Sequence, residues 1–555
     1  EELYKAYDYC VQQNVIPLCT PWDLSSLKKL ENYGMSGYKI SSADFTNPEL
    51  ITAVAETGKP IICSTGMSTE KEIVDGINDL QKLNAPFILL HCNSTYPAPF
   101  KDINLNYMDN LKKLSNGIVG YSGHERDINI AMAAVALGAK VIEKHLTLDR
   151  ALEGNDHKVS LLPNEFKQMS AGIRQIEEAM GTSKDRILSQ GEMMNRENLA
   201  KSLVARTNIQ IGQIIKEDMI GIQSPGQGLQ PNRKKNLIGI KARRKIDAGD
   251  FFYGSDIGEG EVIARNYKFN YEWGVPVRYH DILKIFSKSN PQLLEIHLSY
   301  KDLELNPDDY IIKALDTNLV VHAPELFAGD HTLDLCSENE SYRNRSIMEL
   351  QKVIDITNGL KKFFPIAKKP CIITNVGGFT ETGHIEPSKR KILYETLIES
   401  IKKLNLDGVE IIPQTMPPFP WHFGGQRFHN LFVDPEGIID FCRKTDMRVC
   451  LDVSHSKLAC NYLKISFSKF LEDIMPFTAH LHLADASGLD GEGLQIKTGE
   501  IDWANLVILY SNICPSATFI PEVWQGHKNG GEGAWLALER LETIFKANEQ
   551  NRKVQ

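Results

Sequence analysis

"VIEKHLTLDRALEGNDHKVSL" (residues 141–161) begins with two β-branched residues and then sets Glu143, Lys144 and His145 in a row. Burying three titratable side chains together is costly unless they are paired, metal-bound or turned toward a solvated site. A strand that ends in titratable residues is the pattern of a (β/α) barrel, where sites form at the C-terminal ends of parallel strands. The pattern recurs upstream in "IPLCT", "GYKIS", "PIICST", "FILLHC" and "IVGYS". Helical stretches such as "NPELITAVAETG" and "DINIAMAAVALGA" separate these strands. Six strands result where a barrel needs eight. An open six-stranded sheet is one reading. Polar residues at every strand end favour the other, a barrel lacking its first two βα units.

Working outward, 163–180 read as the last helix of this region (domain 1–183), and "GTSKDRILSQGEMMNREN" reads as a charged linker. Residues 196–258 change to short β pieces with Gly, each half carrying an x-I-x-x-G turn, which predicts a small β-rich module. From 262 to 548 a second βα series gives eight strands: "KFNYEWGVP", "LLEIHLS", "LVVHAPE", "CIITNVGG", "GVEIIPQ", "RVCLDVSH", "AHLHLAD" and "FIPEVWQ". The expected fold class is therefore α/β, two TIM-type (β/α)8 barrels joined by a small β module.

Composition narrows the function. The 555 residues exceed one core and suggest three or four domains. A net charge of −9 argues against nucleic-acid backbone binding. No apolar run reaches the roughly 20 residues of a membrane span, and no leader pattern opens the sequence. Ten scattered cysteines without a CxxC pair suit a reducing cytoplasm. The expectation is a cytoplasmic protein with no nucleic-acid or membrane partner.

The first set of strand ends carries Thr20, Lys39, Ser41, Ser42, Ser64, Thr65, Asn93, Tyr96, Ser122, His124, Glu143 and His145. Two imidazoles on adjacent strands suit a divalent metal, and Lys39 among hydroxyls suits a phosphate or carboxylate. A single strand histidine is more often structural; the shared rim favours a site.

These residues bring a resemblance with them. "GYKISSADFTNPELI", "GKPIICSTGMST", "HCNSTYPAPF", "GYSGHE" and "VIEKHLTLD…GNDHKVSL" are similar to the sialic acid synthase family, which condenses phosphoenolpyruvate with an N-acylated amino sugar to make nonulosonic acids. The resemblance implies that His124 and His145 ligate a Mn²⁺-type ion and that Glu143 positions or deprotonates reacting groups. It further implies that Asp156 contacts sugar hydroxyls and that Lys39, Ser42, Ser64 and Tyr96 lie around phosphoenolpyruvate, with Ser122 a substrate-binding residue on the same rim. Lys144, alternating away from its neighbours, reads as a structural charge. The β module, with "SLVARTNIQIGQIIKEDMI" and "SPGQGLQP", resembles the antifreeze-like (SAF) domain, which in that family reaches over a partner's active site and so implies a homodimer. The family's first two βα units, with a catalytic glutamate and a substrate lysine, have no counterpart here, so the chain reads as a piece of a longer polypeptide. Ser224 stands where the family usually has an arginine.

In the second series Glu410, Asp452, His482 and Glu522 lie on four successive strands, a set suited to Mn²⁺, Mg²⁺ or Co²⁺. "GVEIIP", "LDVSH", "HLHLAD", "GEGLQIKTGEIDW" and "PEV" resemble the xylose isomerase-like sugar isomerase/epimerase superfamily. By that resemblance the four ligate the metal, Glu410 and Glu522 serve as the acid/base pair, and His455 and His322 face the substrate, a small sugar. His480 is an alternative ligand to His482. Asp490 and Glu492 stand where the DNA-repair branch binds further metals, but Glu492 replaces a histidine there. The segment 417–430, "PPFPWHFGGQRFHN", is either a loop over the sugar or a packed connection. The whole reads as a nonulosonic acid synthase fused to a sugar isomerase or epimerase, with a divalent metal in each barrel. Its rivals are an isomerase carrying a retired synthase and a non-catalytic carbohydrate-binding scaffold.

Overall fold

The structure is a computed structural model that describes every residue except Glu1, Lys184, Glu261, Phe423, Gly424 and Gln555. It divides into two compact units, Glu1–Arg186 and Ile187–Gln555. No described helix is long and apolar enough to cross a membrane.

In the first unit five parallel strands, β1 (Tyr38–Ile40), β2 (Ile61–Ser64), β3 (Phe87–Cys92), β4 (Val119–Gly123) and β5 (Ile142–Lys144), pair in chain order to form a half-barrel. Of the six expected strands, "IPLCT" is the exception: it pairs only through a bridge from Cys19 to Tyr38. Ile16 is 75% exposed there, so little burial reinforces a longer strand. The connecting helices begin where side-chain caps dictate. Asp23 and Asn47 accept from the backbone of Ser26 and Leu50, and Thr69 with Glu72 closes a capping box over Glu70–Lys82. Their apolar faces, with Leu50, Val54, Ile73 and Leu80, pack on Tyr38, Ile40, Ile61 and Leu89 of the sheet. This leaves the strand ends to carry the polar residues.

The second unit opens with a helix, Gln190–Leu199, capped by Ser189 and Glu192. It replaces the linker that its charged composition suggested; a capping box is a start signal that composition alone hides. The β module follows, with β6 (Ser202–Ala205) antiparallel to β7 (Ile220–Gln223). Its two x-I-x-x-G turns pair with each other: Ile209 and Ile246 exchange both backbone hydrogen bonds, at 2.8 and 3.0 Å. Gly212 and Gly249 supply the positive φ that each turn requires. Leu203, Ile209, Ile215, Ile246 and Phe252 fill its core.

The second barrel has all eight expected strands: β8 (Gly274–Val277), β9 (Leu293–His297), β10 (Asn318–His322), β11 (Cys371–Thr374), β12 (Glu410–Pro413), β13 (Val449–Asp452), β14 (Thr478–Leu483) and β15 (Thr518–Pro521). β8 to β12 form one parallel sheet and β13 to β15 another. Bridges from Gln414 to Cys450 and from Trp273 to Phe519 close the two into a ring. Leu293, Val320, Ile373, Ile412, Cys450 and Ile520 cluster as an apolar layer inside it. Such layers make the interior a packed core rather than a pore, so polar groups collect above it at the strand ends.

Candidate functional sites

In the first unit, strand ends bring the anticipated residues together in two adjoining groups. Lys39 Nζ donates to Ser64 Oγ at 2.8 Å and lies 3.7 Å from Glu143 Oε2; Ser122 Oγ donates to Glu143 Oε1 at 2.8 Å. The second group is built on His124 and His145, whose ring centroids are 5.2 Å apart. Tyr96 packs on His124 at 4.2 Å, and Asp156 Oδ2 is 3.8 Å from His145 Nδ1. His124 Nδ1 lies 2.8 Å from the Asn93 carbonyl, so it carries the proton and leaves Nε2 with a lone pair for a ligand. Burial, then the neighbouring His124, keep the His145 pKa below its ordinary value, hence neutral. Burial opposes charge on His124, but Cys92 and the Asn93 carbonyl raise its pKa, so it becomes the second donor to a divalent ion by releasing its Nε2 proton.

Ser42 Oγ accepts from the Gly66 backbone at 3.1 Å and donates to Cys92 Sγ at 3.6 Å. Cys92, which the sequence reading passed over as a strand residue, sits 3.7 Å from His124 Nδ1. Burial pushes its thiol up, but His124 and the Ser42 and Ser94 hydroxyls bring it below the ordinary thiol value. Lys144 does face away from the rim, and it is not solvated. Its ammonium donates to Glu125 Oε1 at 2.9 Å, both side chains are fully shielded, and Tyr121 donates to the other Glu125 oxygen at 2.6 Å.

In the second barrel the structure corrects one residue. Glu410 opens β12 beside Cys371, the first residue of β11, and its carboxylate is held by Arg448 through two 2.8 Å hydrogen bonds. It lies below the apolar layer. Residues 410, 412 and 414 alternate to the same face, and Ile412 belongs to that layer. The strand end belongs to Gln414, about 13 Å further along at the rise of a strand. Its amide Nε2 donates to Asp452 Oδ2 at 3.0 Å and lies 3.2 Å from His482 Nδ1, and its Oε1 is 3.3 Å from His322 Nε2.

The other anticipated residues do converge. His482 Nδ1 is in contact with Glu522 Oε2 and lies 3.7 Å from Asp452 Oδ2; its ring stacks on His322 at 5.7 Å. Asp452 Oδ1 accepts from the His455 backbone at 2.8 Å, and His455 Nε2 reaches Glu492 Oε1 at 3.1 Å. Asp490 is exposed. Of segment 417–430, Phe423 and Gly424 lie outside the described residues.

Glu295 is the residue that sequence reasoning missed. It sits on β9, fully buried, with the Nε2 atoms of His297 at 2.8 Å, His480 at 2.9 Å and His482 at 3.0 Å around its carboxylate. The signal was present: Glu295 and His297 alternate within an otherwise apolar strand. Burial opposes ionisation, yet these three imidazoles hold the Glu295 carboxyl well below its usual range. Glu295 thus accepts the His482 Nε2 proton and turns the Nδ1 lone pair toward Glu522 and Asp452. A lone pair facing two carboxylates needs a cation between them, either a proton or a metal ion. Without a metal it is a proton: burial would lower the His482 pKa, but surrounding negative groups, Glu522 and Glu295 among them, raise it well above normal. Burial likewise resists ionisation of Glu522, and the facing histidines, led by His482, bring its carboxyl down to about 2. The donor set His322, Asp452, His482 and Glu522 fits a divalent ion, with Glu295 as the buttress behind it. Among the described residues, two groups of three close ligand-type side chains occur, and His482 belongs to both: Glu295 with His480, and His322 with Glu522. His480 therefore stands with the buttress, its Nδ1 on Thr518 Oγ1 at 2.5 Å, rather than on the Nδ1 side of His482. Above these groups opens a cavity of about 740 Å³ lined by His297, His322, Asp452, His455, Glu492 and Glu522, among others.

Comparison with known proteins agrees with this division. The NeuB family matches residues 1–185, the SAF domain 200–258 and the xylose isomerase-like TIM barrel 289–541. N,N'-diacetyllegionaminic acid synthase of Campylobacter jejuni is 42% identical over 229 residues, which are 41% of this chain and 68% of that protein. Pseudaminic acid synthase of the same species is 34% identical over 251 residues, 45% of this chain and 73% of that one. A D-tagatose 3-epimerase-like protein of known structure aligns at 18% identity and a TM-score of 0.38, over 51% of this chain and 100% of that one. The chain belongs to the NeuB family, whose region is followed here by a SAF domain and a xylose isomerase-like TIM barrel.

Proposed function

We propose that the first site condenses phosphoenolpyruvate with an N-acylated amino sugar. The observation that carries this is the Lys39–Ser64–Glu143–Ser122 network beside the His124–His145 pair, in a region that shares 42% identity with a legionaminic acid synthase. Lys39 supplies the positive charge for a phosphate or carboxylate, and the hydroxyls of Ser42, Ser64 and Ser122 complete its surroundings. Tyr96, packed on His124, lies on the phosphoenolpyruvate side, and Asp156 faces the sugar. A divalent ion held by His124 and His145 would supply Lewis-acid polarisation of the sugar's open-chain aldehyde. The phosphoenolpyruvate methylene carbon attacks that aldehyde, water adds at C2, and the C2–O bond to phosphate breaks to leave the 2-oxo acid and inorganic phosphate. Glu143, oriented by Ser122 and Lys39, takes the proton of the attacking water.

The second barrel we read as a metal-dependent sugar isomerase or epimerase. His322, Asp452, His482 and Glu522 would hold the ion, which would polarise a sugar carbonyl. Glu410 takes no part. Glu522 on the eighth strand, and His455 with Glu492 beyond the sixth, face one cavity and so offer proton carriers from two directions. In the family the SAF domain implies a homodimer, and we carry that assembly as part of the proposal.

The test is phosphate release from phosphoenolpyruvate with Mn²⁺ and a panel of N-acyl amino sugars. In parallel, exchange of the hydrogen next to a sugar carbonyl is followed in D₂O. Lys39→Ala should cut phosphate release by about 100-fold or more, the scale of losing one transition-state donor, and leave hydrogen exchange intact. Glu522→Gln should do the reverse. Sugar binding without either reaction, unchanged in both variants, would support a carbohydrate-binding scaffold instead.

A further inference from the structure

The first and eighth strands of the second barrel meet at one corner of the cavity of about 740 Å³, and that corner differs in chemistry from the imidazole group beneath it. β8 ends at Val277, and Arg278 follows directly. The Arg278 backbone N–H donates to Asp281 Oδ1 at 2.7 Å, and Tyr279 is buried against Tyr310, so the turn that carries the side chain is fixed. The guanidinium donates from Nη1 to the His297 carbonyl at 3.1 Å and has no other hydrogen-bond acceptor among the described residues. Asp302 Oδ2 stands 3.9 Å away and already accepts from the Ser299 N–H and Oγ, each at 2.7 Å. Among the described residues, Arg278 is the only arginine or lysine that lines the cavity, and its side chain is 43% exposed. His527, in the loop after β15, lines the same space; partial burial and then the Arg278 charge lower its pKa, so its ring adds a donor without a second charge. Of the carboxylates that share the lining, Glu197 pairs with Lys528, Asp281 with the Arg278 backbone, Glu492 with His455, and Asp452 and Glu522 with His482. Glu325 follows the third strand, away from this corner.

We propose that this corner is the subsite for an anionic group on the sugar, a phosphate or a carboxylate, at the end of the molecule away from its carbonyl. This rests on the reading of the barrel as a sugar-transforming site. His297 sets the span: its carbonyl holds Arg278, while its ring stacks on His322 at 4.9 Å and lies 3.9 Å from Glu522 Oε1. One residue thus separates the guanidinium from the donor set that would hold the ion. That distance suits a sugar of a few carbons, with its carbonyl at one end and its anion at the other. With Nη1 on His297, Nε and Nη2 leave one edge of the fork for two oxygens of a phosphate or carboxylate, where a hydroxyl would use a single N–H. Amid paired carboxylates, Arg278 is also where a substrate's negative charge meets the least repulsion.

Equilibrium titration of the full chain in Mn²⁺ with a hexose, its 6-phosphate and its uronic acid tests this. One anionic form should bind about tenfold or more tightly than the neutral parent, and the form that does so identifies the anion. Arg278→Gln should abolish that preference and leave the affinities for Mn²⁺ and the neutral parent unchanged, which marks a folded site. Arg278→Lys should keep part of it, because the charge stays while the fork is lost. Lys39→Ala should leave it intact, since an anion held in the first unit would be lost there instead. No preference for either anion, a preference that survives Arg278→Gln, or one that disappears with Lys39→Ala would overturn the proposal. Hydrogen exchange in D₂O with the same sugars separates this from the reading beneath it. If nothing exchanges while the Arg278-dependent preference stands, the isomerase reading fails and the anion subsite remains. If neutral sugars exchange as well as anionic ones, with KM values that Arg278→Gln does not move, the isomerase reading stands and the subsite falls.

Discussion

At the residue scale, Glu410 and Gln414 show how a strand end selects its chemistry. A search for carboxylates picks Glu410, but only a residue above the apolar layer can reach the cavity, and four steps along β12 that residue is a glutamine. Glu295 was overlooked for the complementary reason: it faces inward behind His482, where only the folded barrel shows its partners. Metal affinity separates the two. Glu295→Leu removes the acceptor that orients His482, so Mn²⁺ affinity at the second barrel should fall about 10- to 100-fold. Glu410→Gln should leave it unchanged in the same calorimetric titration, because Arg448 holds that carboxylate elsewhere. Lys144 carries a different cost. Lys144→Met strands the fully shielded Glu125 charge and should destabilise the first unit by about 3–5 kcal/mol in chemical denaturation. Adding Glu125→Gln should recover part of that loss.

At the scale of elements, the repeated strand-then-polar pattern made both sheets legible, since each strand is short and apolar and most are followed by a helix; β9 is followed only by the short turns Asp302–Glu304 and Pro307–Asp309 before β10. What the pattern could not show was how much tertiary burial each strand receives. "IPLCT" has the right residues but leaves Ile16 and Leu18 exposed, and it shrinks to a single bridge. The helix Gln190–Leu199 was hidden by its charge; its packing partners, Trp421 and Gln525, lie more than two hundred residues away. β3 carries a pH dependence of its own. His91 is buried, with Nε2 on the Ile103 carbonyl, and burial holds its pKa below the ordinary 6.5 despite that hydrogen bond. The unfolded chain therefore takes up a proton that the folded chain refuses. Stability from this group is complete above pH 6.5 and is lost as pH falls from there toward the folded value. Denaturation of wild type and His91→Gln at pH 7.5 and 5.5 should show the wild type losing more, by up to about 1.4 kcal/mol for each pH unit in which one extra proton is bound by the unfolded state.

At the scale of the whole molecule, two catalytic-type sites lie in two separately packed units, each with its own histidine pair or cluster and its own polar rim. The order NeuB, SAF, xylose isomerase-like was readable because motifs at strand ends keep their spacing. The meeting of Arg278 and His527 at the second cavity was not, because they follow the first and last strands of that barrel and come together only when the ring closes. The central claim is that one chain holds two independent metal-dependent chemistries. Its most direct test is the number of Mn²⁺ ions bound per chain, measured by equilibrium titration on the wild type, His124→Ala/His145→Ala and Asp452→Asn/His482→Gln. Two ions in the wild type, with each double variant losing one and keeping the other, is the result expected. One ion or none in the wild type, or loss of both from a single site's variant, would contradict it.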